Sequence, residues 1–380
     1  MTANGKGAVI FFSALAACSS SGAAPHDAHE GGTPVDSSDK MEASVEDDVG
    51  GRSFTLGVLD EARIGSDNST GYPYVDRAVT DIDWKQGPFS SVTLIVDLKS
   101  TCYPFEQWAQ NPPPIGQNWP ADCDAFDRNF SVYLEDAQPG RTPYEIVHAI
   151  TPFGGPLHLE VDITDLANVL PAQNRMRFEL VSFSDPQGLV TGSNGGWTVS
   201  ARIEIAPGAS PRHVLSATAL FAGQVTADNA PPVIDFAVPA GATRGRIEYR
   251  TSGHGQGPVA FGCIGPAEEF CARRHQILVD GVSVENIQPY RVDCPTLCTV
   301  THYGAADAGF DYCLENPCGA IDSVRAARAN WCPGSMTPPF AWEDIAALAA
   351  PGNHSFSFRI TPLSAEGFWF VSAIHYAYGP

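Results

Sequence analysis

The stretch Cys123-Asp-Ala-Phe-Asp-Arg-Asn-Phe-Ser-Val-Tyr-Leu134 places an acid–base pair, Asp127-Arg128, behind a cysteine and directly ahead of an alternating run. From Phe130 to Leu134, apolar side chains recur at every second position, which is typical of a half-buried strand. Similar short runs, separated by Pro-Gly, Asn-Gly and Gly-Gly turn signals, occur at Val92–Leu98, Tyr144–Ile150, Leu157–Ile163, Arg175–Ser182 and Thr198–Ile205. This spacing predicts an antiparallel β-sandwich.

A second series of strands begins after a predicted hinge at 206–212. Its runs are Val233–Val238, Gly245–Arg250, Gln276–Val279, Ser355–Ile360 and Gly367–His375. Long cysteine-rich loops at about 252–275 and 288–340 interrupt it, and long loops on a rigid scaffold often carry function. We therefore predict an all-β chain with an N-terminal domain at 52–206 and a C-terminal domain at 213–380.

The composition fits a turn-rich β protein and excludes some partners. Of the 380 residues 43% are hydrophobic and only 17% are charged, with 36 Gly and 31 Pro. The formal net charge of −21 argues against a nucleic acid or an anionic membrane surface as a partner, because both require clustered Lys and Arg. We expect a monomer whose partners are neutral, and sugars fit this description.

The N-terminus has the features of an export signal. Lys6 precedes the short apolar run Ala8–Leu15, which is too short to span a bilayer as a helix. Leu15-Ala-Ala-Cys18 resembles the lipobox of bacterial lipoproteins, and the alternative is an ordinary signal peptide in which Cys18 is incidental. We predict a lipoprotein signal peptide at 1–18, lipidation of Cys18, a disordered linker at 19–51 and anchoring in the bacterial cell envelope, at the outer membrane.

Nine cysteines follow Cys18, and in an exported protein disulfides are the default expectation. Cys102–Cys123 and Cys263–Cys271 are the natural local pairs. The remaining five are odd in number, so one stays unpaired, and their pairing is left open: Cys294, Cys298, Cys313, Cys318 and Cys332. Zinc is the alternative for this group because of its Cys-x3-Cys and Cys-x4-Cys spacings, although no His-x3-5-His partner lies nearby.

Several motifs in both halves resemble one known family. In the first half they are Cys123–Arg128, Tyr144–Pro152 and Leu159–Asp165, and in the second half Ser252-Gly-His-Gly255, Gly262–His275 and Arg328–Gly334. In this order, over about residues 85–378, they resemble the two domains of the peptide-N-glycosidase F family. The resemblance implies two eight-stranded jelly-roll sandwiches packed side by side. It also implies hydrolysis of the amide between an asparagine side chain and the first N-acetylglucosamine of an N-glycan.

The resemblance assigns roles to particular residues. Asp127 falls on the family's essential aspartate and is the expected base, and Arg128 matches the adjacent arginine. Glu269, in the short disulfide loop, would bind or protonate the substrate from the opposite wall. Arg328 and Trp331 match a basic–aromatic segment lining the cleft, where a ring face could stack on a pyranose ring. No metal or other cofactor is expected, and the implied partners are N-glycosylated peptides or proteins, or free glycans.

The chain also departs from the family pattern. A third family glutamate aligns with Val181, and Glu179, two residues earlier on the same strand face, is the candidate substitute. Where the family has tryptophans, this chain has Phe126, Phe270 and His254, which we expect to contact substrate. Glycan specificity is therefore left open.

Two other functions compete with the hydrolase. One is a non-catalytic glycan-binding surface lipoprotein on the same scaffold. The other is a copper monooxygenase, because that family shares the double jelly roll. Copper would need several histidines and a methionine together, whereas Met336 is the only methionine of the downstream half and its histidines form no close pair.

Overall fold

The computed structural model describes residues 51–65, 77–102, 123–135, 140–181, 196–256, 262–265, 267–305, 309–343 and 345–380, without the side chain of Val181. The predicted signal peptide, the lipidation site Cys18 and all but the end of the predicted linker lie outside these ranges. None of the helices described is long and apolar enough to cross a membrane.

The first half forms an eight-stranded sandwich. Its elements are β1 (Phe54–Ile64), β2 (Arg77–Asp83), β3 (Phe89–Ser100), β4 (Asn129–Glu135), β5 (Tyr144–Ile150), β6 (Leu157–Asp162), helix α1 (Thr164–Val169), β7 (Gln173–Val181) and β8 (Trp197–Pro207). One sheet has the order β1-β8-β3-β6, and the other contains β5-β4-β7-β2. This interleaving of early and late strands across two sheets is the topology of a jelly roll.

The second half repeats that topology. Its elements are β9 (Val214–Thr226), β10 (Ile234–Val238), β11 (Arg244–Gly255), β12 (Arg274–Val279), β13 (Val282–Ile287), β14 (Val300–Tyr303), β15 (Phe310–Cys313), helix α2 (Ile321–Arg325), β16 (Ser335–Met336), β17 (Phe340–Trp342), β18 (Gly352–Thr361) and β19 (Gly367–Tyr378). The sheets have the orders β17-β11-β19-β9 and β10-β18-β12-β13. The predicted all-β fold of two sandwiches is thus confirmed, while the exact domain limits stay a prediction.

The β17-β11-β19-β9 sheet packs one face against its own sandwich and the other against the first sandwich. On β19, Trp369 and Val371 belong to the second core, whereas Ile374 and Tyr376 belong to the first. Alternation along a strand explains this arrangement, because successive side chains point to opposite faces. The residues of β11 that face the first sandwich are therefore placed to form sites shared by both halves.

A two-residue strand from the second half completes the first sandwich. In β16, Ser335 pairs with Ile150 and Met336 with Ala149, so β16 extends the β5 edge of the sheet. Such a short strand has no hydrophobic period and cannot be recognised in the sequence. Its effect is to fix the segment just before it, which contains Arg328 and Trp331, against β5.

Among the residues that the structure describes, four disulfides stabilise the loops, and both of the predicted bridges are among them. They are Cys102–Cys123, Cys263–Cys271, Cys294–Cys332 and Cys298–Cys313, and Cys318 is free and buried. The zinc alternative for the downstream cysteines is wrong, because four of the five form disulfides and their thiolates cannot bind a metal ion. Each bridge of this kind contributes roughly 2–4 kcal/mol to stability.

Candidate functional site

Asp127 and Glu269, one from each sandwich, meet around the guanidinium of Arg328. Asp127 lies two residues before β4, and Glu269 lies in a short 3₁₀ helix, Glu268–Phe270, inside the Cys263–Cys271 loop. Nη1 of Arg328 donates to Oε1 of Glu269 at 2.9 Å. The same guanidinium acts electrostatically on Asp127, and the two carboxyls also interact. Three predicted site residues are therefore brought together.

Burial raises the pKa of both carboxyls. For Asp127, the positive charges of Arg328 and Arg128 oppose this effect without cancelling it. For Glu269, Arg328 opposes the effect of burial, and repulsion from Asp127 adds to it. Two carboxyls that compete for ionisation beside one cation can hold a proton between them, which is the arrangement that acid–base chemistry requires.

Arg328 is rigidly held. Its side chain is 1% exposed, and Nη2 donates to the carbonyl oxygen and the hydroxyl of Ser323 at 2.8 and 3.0 Å. The guanidinium lies 4.7 Å from the ring centroid of Phe270 and 4.4 Å from that of Trp331. Cation–π contacts of this kind are strongest where water is excluded. The cation beside Asp127 and Glu269 thus has a fixed position.

The segment carrying Arg328 packs directly on β11. A Cβ on Gly253 would lie 2.7 Å from Cβ of Ala329, so only glycine permits this approach. The N–H of Gly253 donates to the carbonyl of Ala329 at 2.9 Å, and the N–H of Ala329 donates to the carbonyl of Glu269 at 2.7 Å. These backbone bonds fix the distance between the Glu269 loop and the Arg328 segment.

Trp331 is too deeply buried for the role predicted from the sequence. It is 1% exposed, and its Nε1–H donates to the carbonyl oxygen of Gly253 at 2.8 Å. The guanidinium of Arg328 and the stacked ring of His254, whose centroid lies 5.3 Å away, both pack on it. A ring that is 1% exposed offers no face on which a sugar can stack, so Trp331 builds the wall of the site instead.

The other predicted substrate contacts differ in exposure. Phe126 and Phe270 are half-buried and retain accessible surface. His254 is 6% exposed and stacks on Trp331 and on Phe368, so the faces of its imidazole are not open to a ring of the substrate. Contact of Phe126 and Phe270 with substrate stays a prediction.

Arg128 is buried behind Asp127 instead of reaching into the cleft. It is 7% exposed, and its Nε donates to Oδ1 of Asp124 at 3.2 Å. Its guanidinium also lies 5.3 Å from the ring centroid of Phe126. Asp124, which sequence reasoning did not single out, therefore orients the arginine that faces Asp127. The only hint in the sequence is the spacing of four residues between the two charges.

The structure does not bring Glu179 to the Asp127–Glu269 pair. Glu179 on β7 is paired with Ser131 on β4, four residues beyond Asp127 and so about 13 Å along the strand. Its carboxylate forms an ion pair with Arg177 on its own strand. The charges that influence Asp127 and Glu269 are those of Arg128, Arg328 and the two carboxyls themselves. The predicted replacement for the third family glutamate is thus engaged elsewhere.

A buried hydrogen-bonded chain, which sequence reasoning missed, crosses between the sandwiches next to the site. Nδ1 of His148 lies 3.0 Å from Oε1 of Glu145, and Nε2 of His148 lies 2.6 Å from Oγ of Ser252. Oγ of Ser252 in turn lies 2.7 Å from Nε2 of His254. Burial opposes ionisation of Glu145, but His148 outweighs it and lowers the pKa of Glu145 to about 2. Because Ser252 is 0% exposed, this chain positions His254 and cannot present a serine nucleophile to a substrate.

The adjacent glutamates Glu268 and Glu269 have different roles. Glu268 is 0% exposed and receives two hydrogen bonds from Arg273, from Nε and Nη2, both at 2.6 Å. Nε1 of Trp369 donates to it at 3.0 Å, and Ser364 donates as well. Glu268 therefore ties the disulfide loop to the second core, and this frees Glu269 to face the site.

Replacing Glu268 with glutamine should destabilise the protein strongly. The change removes the carboxylate charge that pairs with the buried guanidinium of Arg273, and breaking a buried pair in this way costs about 3–5 kcal/mol. Urea unfolding should show the loss as a lower midpoint with an unchanged slope. Glu366→Gln, at an exposed position, is the matched control and should leave the midpoint in place. Equal midpoints for both variants would contradict the structural role of Glu268.

Comparison with known proteins identifies the scaffold. A family model described as "Peptide-N-glycosidase F, C terminal" matches residues 223–375. Recombinant peptide:N-glycanase F (PNGase F) superposes with a TM-score of 0.61 at 15% identity, covering 86% of this chain and 96% of its own. PNGase F, described as a glycosylasparaginase from Flavobacterium meningosepticum, gives 0.60 at 16% identity with the same coverage.

A further structure, PNGF-II, has a TM-score of 0.61 at 17% identity and is matched over 86% of this chain. The chain spans 66% of the length of PNGF-II, just under two thirds. The search of curated protein sequences gave no match. At these identities the solved structures establish only the fold. The family model adds a match at the level of sequence, and that match lies in the second half of the chain. The resemblance seen in the sequence motifs is therefore confirmed: the fold is that of PNGase F, and residues 223–375 match the model of that family's C-terminal domain.

Proposed function

We propose that this protein is an amidohydrolase that cleaves the side-chain amide between asparagine and the first N-acetylglucosamine of N-linked glycans. The observation that carries the proposal is the convergence of Asp127 and Glu269, from two different sandwiches, on the fixed guanidinium of Arg328. Folding does not require this arrangement, since two like charges close together in a half-buried site destabilise the fold. Sites of this kind are typical of proton transfer.

Amide hydrolysis needs a base to activate water and a proton for the departing nitrogen. In the proposed mechanism, ionised Asp127 removes a proton from the water that attacks the amide carbonyl carbon. Within the described part of the chain, Arg328 is the only hydrogen-bond partner of the Glu269 carboxyl, and it bonds Oε1. Oε2 is therefore the oxygen that holds the substrate or delivers a proton to the leaving nitrogen.

Arg328 has two effects in this mechanism. Its charge favours the ionised form of the neighbouring carboxyls against the effect of burial, and its fixed position favours negative charge that develops on the substrate nearby. Arg128, held by Asp124, adds a second positive charge behind Asp127. The half-buried rings of Phe126 and Phe270 flank these groups and offer apolar surface to a neutral sugar.

A second candidate is a glycan-binding surface protein without catalytic activity. It is favoured by two observations, the engagement of Glu179 with Arg177 and the burial of Trp331. Each observation means that a side chain expected in the cleft from the family resemblance is not available to the substrate there. The lipid-anchored location predicted from residues 1–18 is compatible with either function and stays a prediction.

The decisive experiment incubates the protein with a defined N-glycopeptide and follows the peptide by mass spectrometry. Hydrolysis should release the intact glycan and leave aspartate in place of the glycosylated asparagine. Running the reaction in ¹⁸O-labelled water should place one heavy oxygen in that aspartate, which separates enzymatic hydrolysis from a pre-existing impurity. Binding of the glycopeptide without any release, over the full pH range in which the protein is folded, would favour the second candidate instead.

Glu179→Gln should leave glycopeptide hydrolysis nearly unchanged, within about threefold in kcat/KM, because no interaction with the transition state is removed. The measurement is steady-state release of glycan from the same glycopeptide. A modest loss of stability is expected from the broken pair with Arg177, so the variants are compared well below their unfolding temperatures. A loss of hundredfold or more would return Glu179 to the catalytic groups.

A further inference from the structure

A free thiol lies against a disulfide where the two halves of the chain meet. Sγ of Cys318, from the second half, lies 3.7 Å from Sγ of Cys123 and 3.8 Å from Sγ of Cys102. These two cysteines form the bridge that leads into the Asp127 loop. Within the described ranges the three sulfurs form one compact group, all within 4.8 Å of one another. Both sulfurs of the bridge are therefore close to the thiol.

The backbone around Cys318 is fixed against the first sandwich. Its N–H donates to the carbonyl oxygen of Phe153 at 3.0 Å, and the N–H of Phe153 donates to Oδ1 of Asn316 at 3.0 Å. A Cβ on Gly154 would lie 2.4 Å from Sγ of Cys318 and 2.8 Å from Sγ of Cys102, so only glycine leaves room for the three sulfurs. The closeness of the thiol to the bridge is thus built into the packed contact between the two halves.

The three cysteines differ in exposure. Cys123 and Cys318 are 0% and 4% exposed, whereas Cys102 is half-buried and keeps accessible surface. Sγ of Cys102 also lies 3.2 Å from the carbonyl oxygen of Asp124, which can accept a hydrogen bond from a thiol. Of the two bridge sulfurs, Cys102 is therefore the better leaving group, because water reaches its thiolate and its thiol has an acceptor.

We propose that Cys318 exchanges with this bridge to form Cys123–Cys318, a covalent link between the two halves of the chain. The thiolate of Cys318 attacks Sγ of Cys123 and the Cys102–Cys123 bond breaks. Cys102 leaves as a thiolate and takes up the proton that Cys318 has released. One bridge and one thiol are present before and after, so no oxidant or reductant is consumed. This link does not depend on the proposed glycoamidase activity.

The exchange replaces a bridge that closes a short loop by one that closes a long loop. Cys102 and Cys123 are 21 residues apart in the sequence, whereas Cys123 and Cys318 are 195 residues apart. In the chain-entropy model a bridge that closes a longer loop stabilises the folded state more. The new bridge also joins the loop that carries Asp127 to the second half of the chain.

Burial keeps the exchange slow at neutral pH. Loss of hydration, with a smaller contribution from the charge of Asp124, raises the pKa of the Cys318 thiol to about 12. Asp124 is itself paired with Arg128 at 3.2 Å. The thiolate is the attacking species, and below the pKa of the thiol its fraction rises tenfold with each pH unit. The local bridge should therefore persist near pH 7, and the link between the halves should form about a hundredfold faster at pH 9.

The first test maps the disulfides of the full wild-type chain after incubation at pH 7 and at pH 9. Samples are quenched with acid, alkylated and analysed by mass spectrometry of non-reduced peptides. A peptide pair joined through Cys123 and Cys318 should appear, faster at pH 9, at a rate that does not change on dilution of the protein. Because the bonds themselves are identified, the thiol of Cys18 does not interfere. Absence of that pair at both pH values would overturn the proposal, and so would a rate that falls on dilution, which indicates exchange between molecules.

Variants test whether the two sulfurs can bond, without relying on the exchange step. In Cys102→Ser, Cys123 and Cys318 are the cysteines left in the group, and they should form a bridge in the purified protein. The unfolding temperature of this variant should exceed that of Cys318→Ser, which can form only the local bridge, by roughly 5 °C. In the control Cys263→Ser, Cys271 loses its partner and should stay unpaired. Alkylation of both Cys123 and Cys318 in denatured Cys102→Ser would overturn the assignment.

Discussion

Asp127→Asn is expected to abolish glycopeptide hydrolysis, with a fall in kcat/KM of roughly a thousandfold or more. The amide has nearly the same size as the carboxylate, so the site keeps its shape, but an amide cannot accept the proton of the attacking water. General base catalysis contributes about 10²–10⁴-fold to a rate, and the loss should appear mainly in kcat. Steady-state release of glycan from a defined N-glycopeptide is the measurement.

Two further measurements separate this loss from a structural effect. The unfolding temperature of Asp127→Asn should equal or exceed that of the wild type, because burial raises the pKa of Asp127 and the neutral amide avoids the cost of a buried charge. Asp235→Asn, at an exposed position on β10, is the matched control and should keep full activity. If Asp127→Asn retained a tenth or more of the activity, Asp127 would not be the base.

Much of the fold was predictable from the sequence because it rests on local alternation. The run Phe130–Leu134 became part of β4, with Phe130, Val132 and Leu134 all 0% exposed, as a strand that buries one face requires. The family resemblance carried by the motifs around Asp127 and Glu269 also implied that the two carboxyls belong to one site. The strand prediction needed only residue types and their order along the chain.

The remaining features depend on contacts between distant residues. The sequence offers no means to decide which of Glu268 and Glu269 faces the core, since the choice is set by Arg273 and Trp369 across the loop. The burial of Trp331 and the capture of Glu179 by Arg177 are likewise decided by neighbours that no local pattern reveals. Tertiary packing thus corrected the details of a site whose central pair was already visible.

Arg328→Met should reduce both stability and activity, because one buried guanidinium interacts with two half-buried carboxyls and two aromatic rings. Without it, Glu269 loses its hydrogen-bonded partner at 2.9 Å, and the pKa of both carboxyls should rise further. Removing one partner of a fully buried ion pair costs about 3–5 kcal/mol, and because Glu269 is 24% exposed we expect a loss of stability near the lower end of that range or below it at neutral pH. Arg325→Met, at an exposed position in α2, is the matched control and should change the stability by less than about 0.5 kcal/mol.

The pH dependence of this destabilisation distinguishes lost charge from lost packing. A carboxyl whose pKa is raised in the folded state destabilises the fold above that pKa, and the cost disappears as the pH falls and the group takes up a proton. The stability difference between Arg328→Met and wild type should therefore shrink as the pH is lowered toward 4. A difference that stayed constant with pH would show that Arg328 acts only by packing between Phe270 and Trp331. In that case the charge of Arg328 would no longer explain how Asp127 can ionise and act as the base.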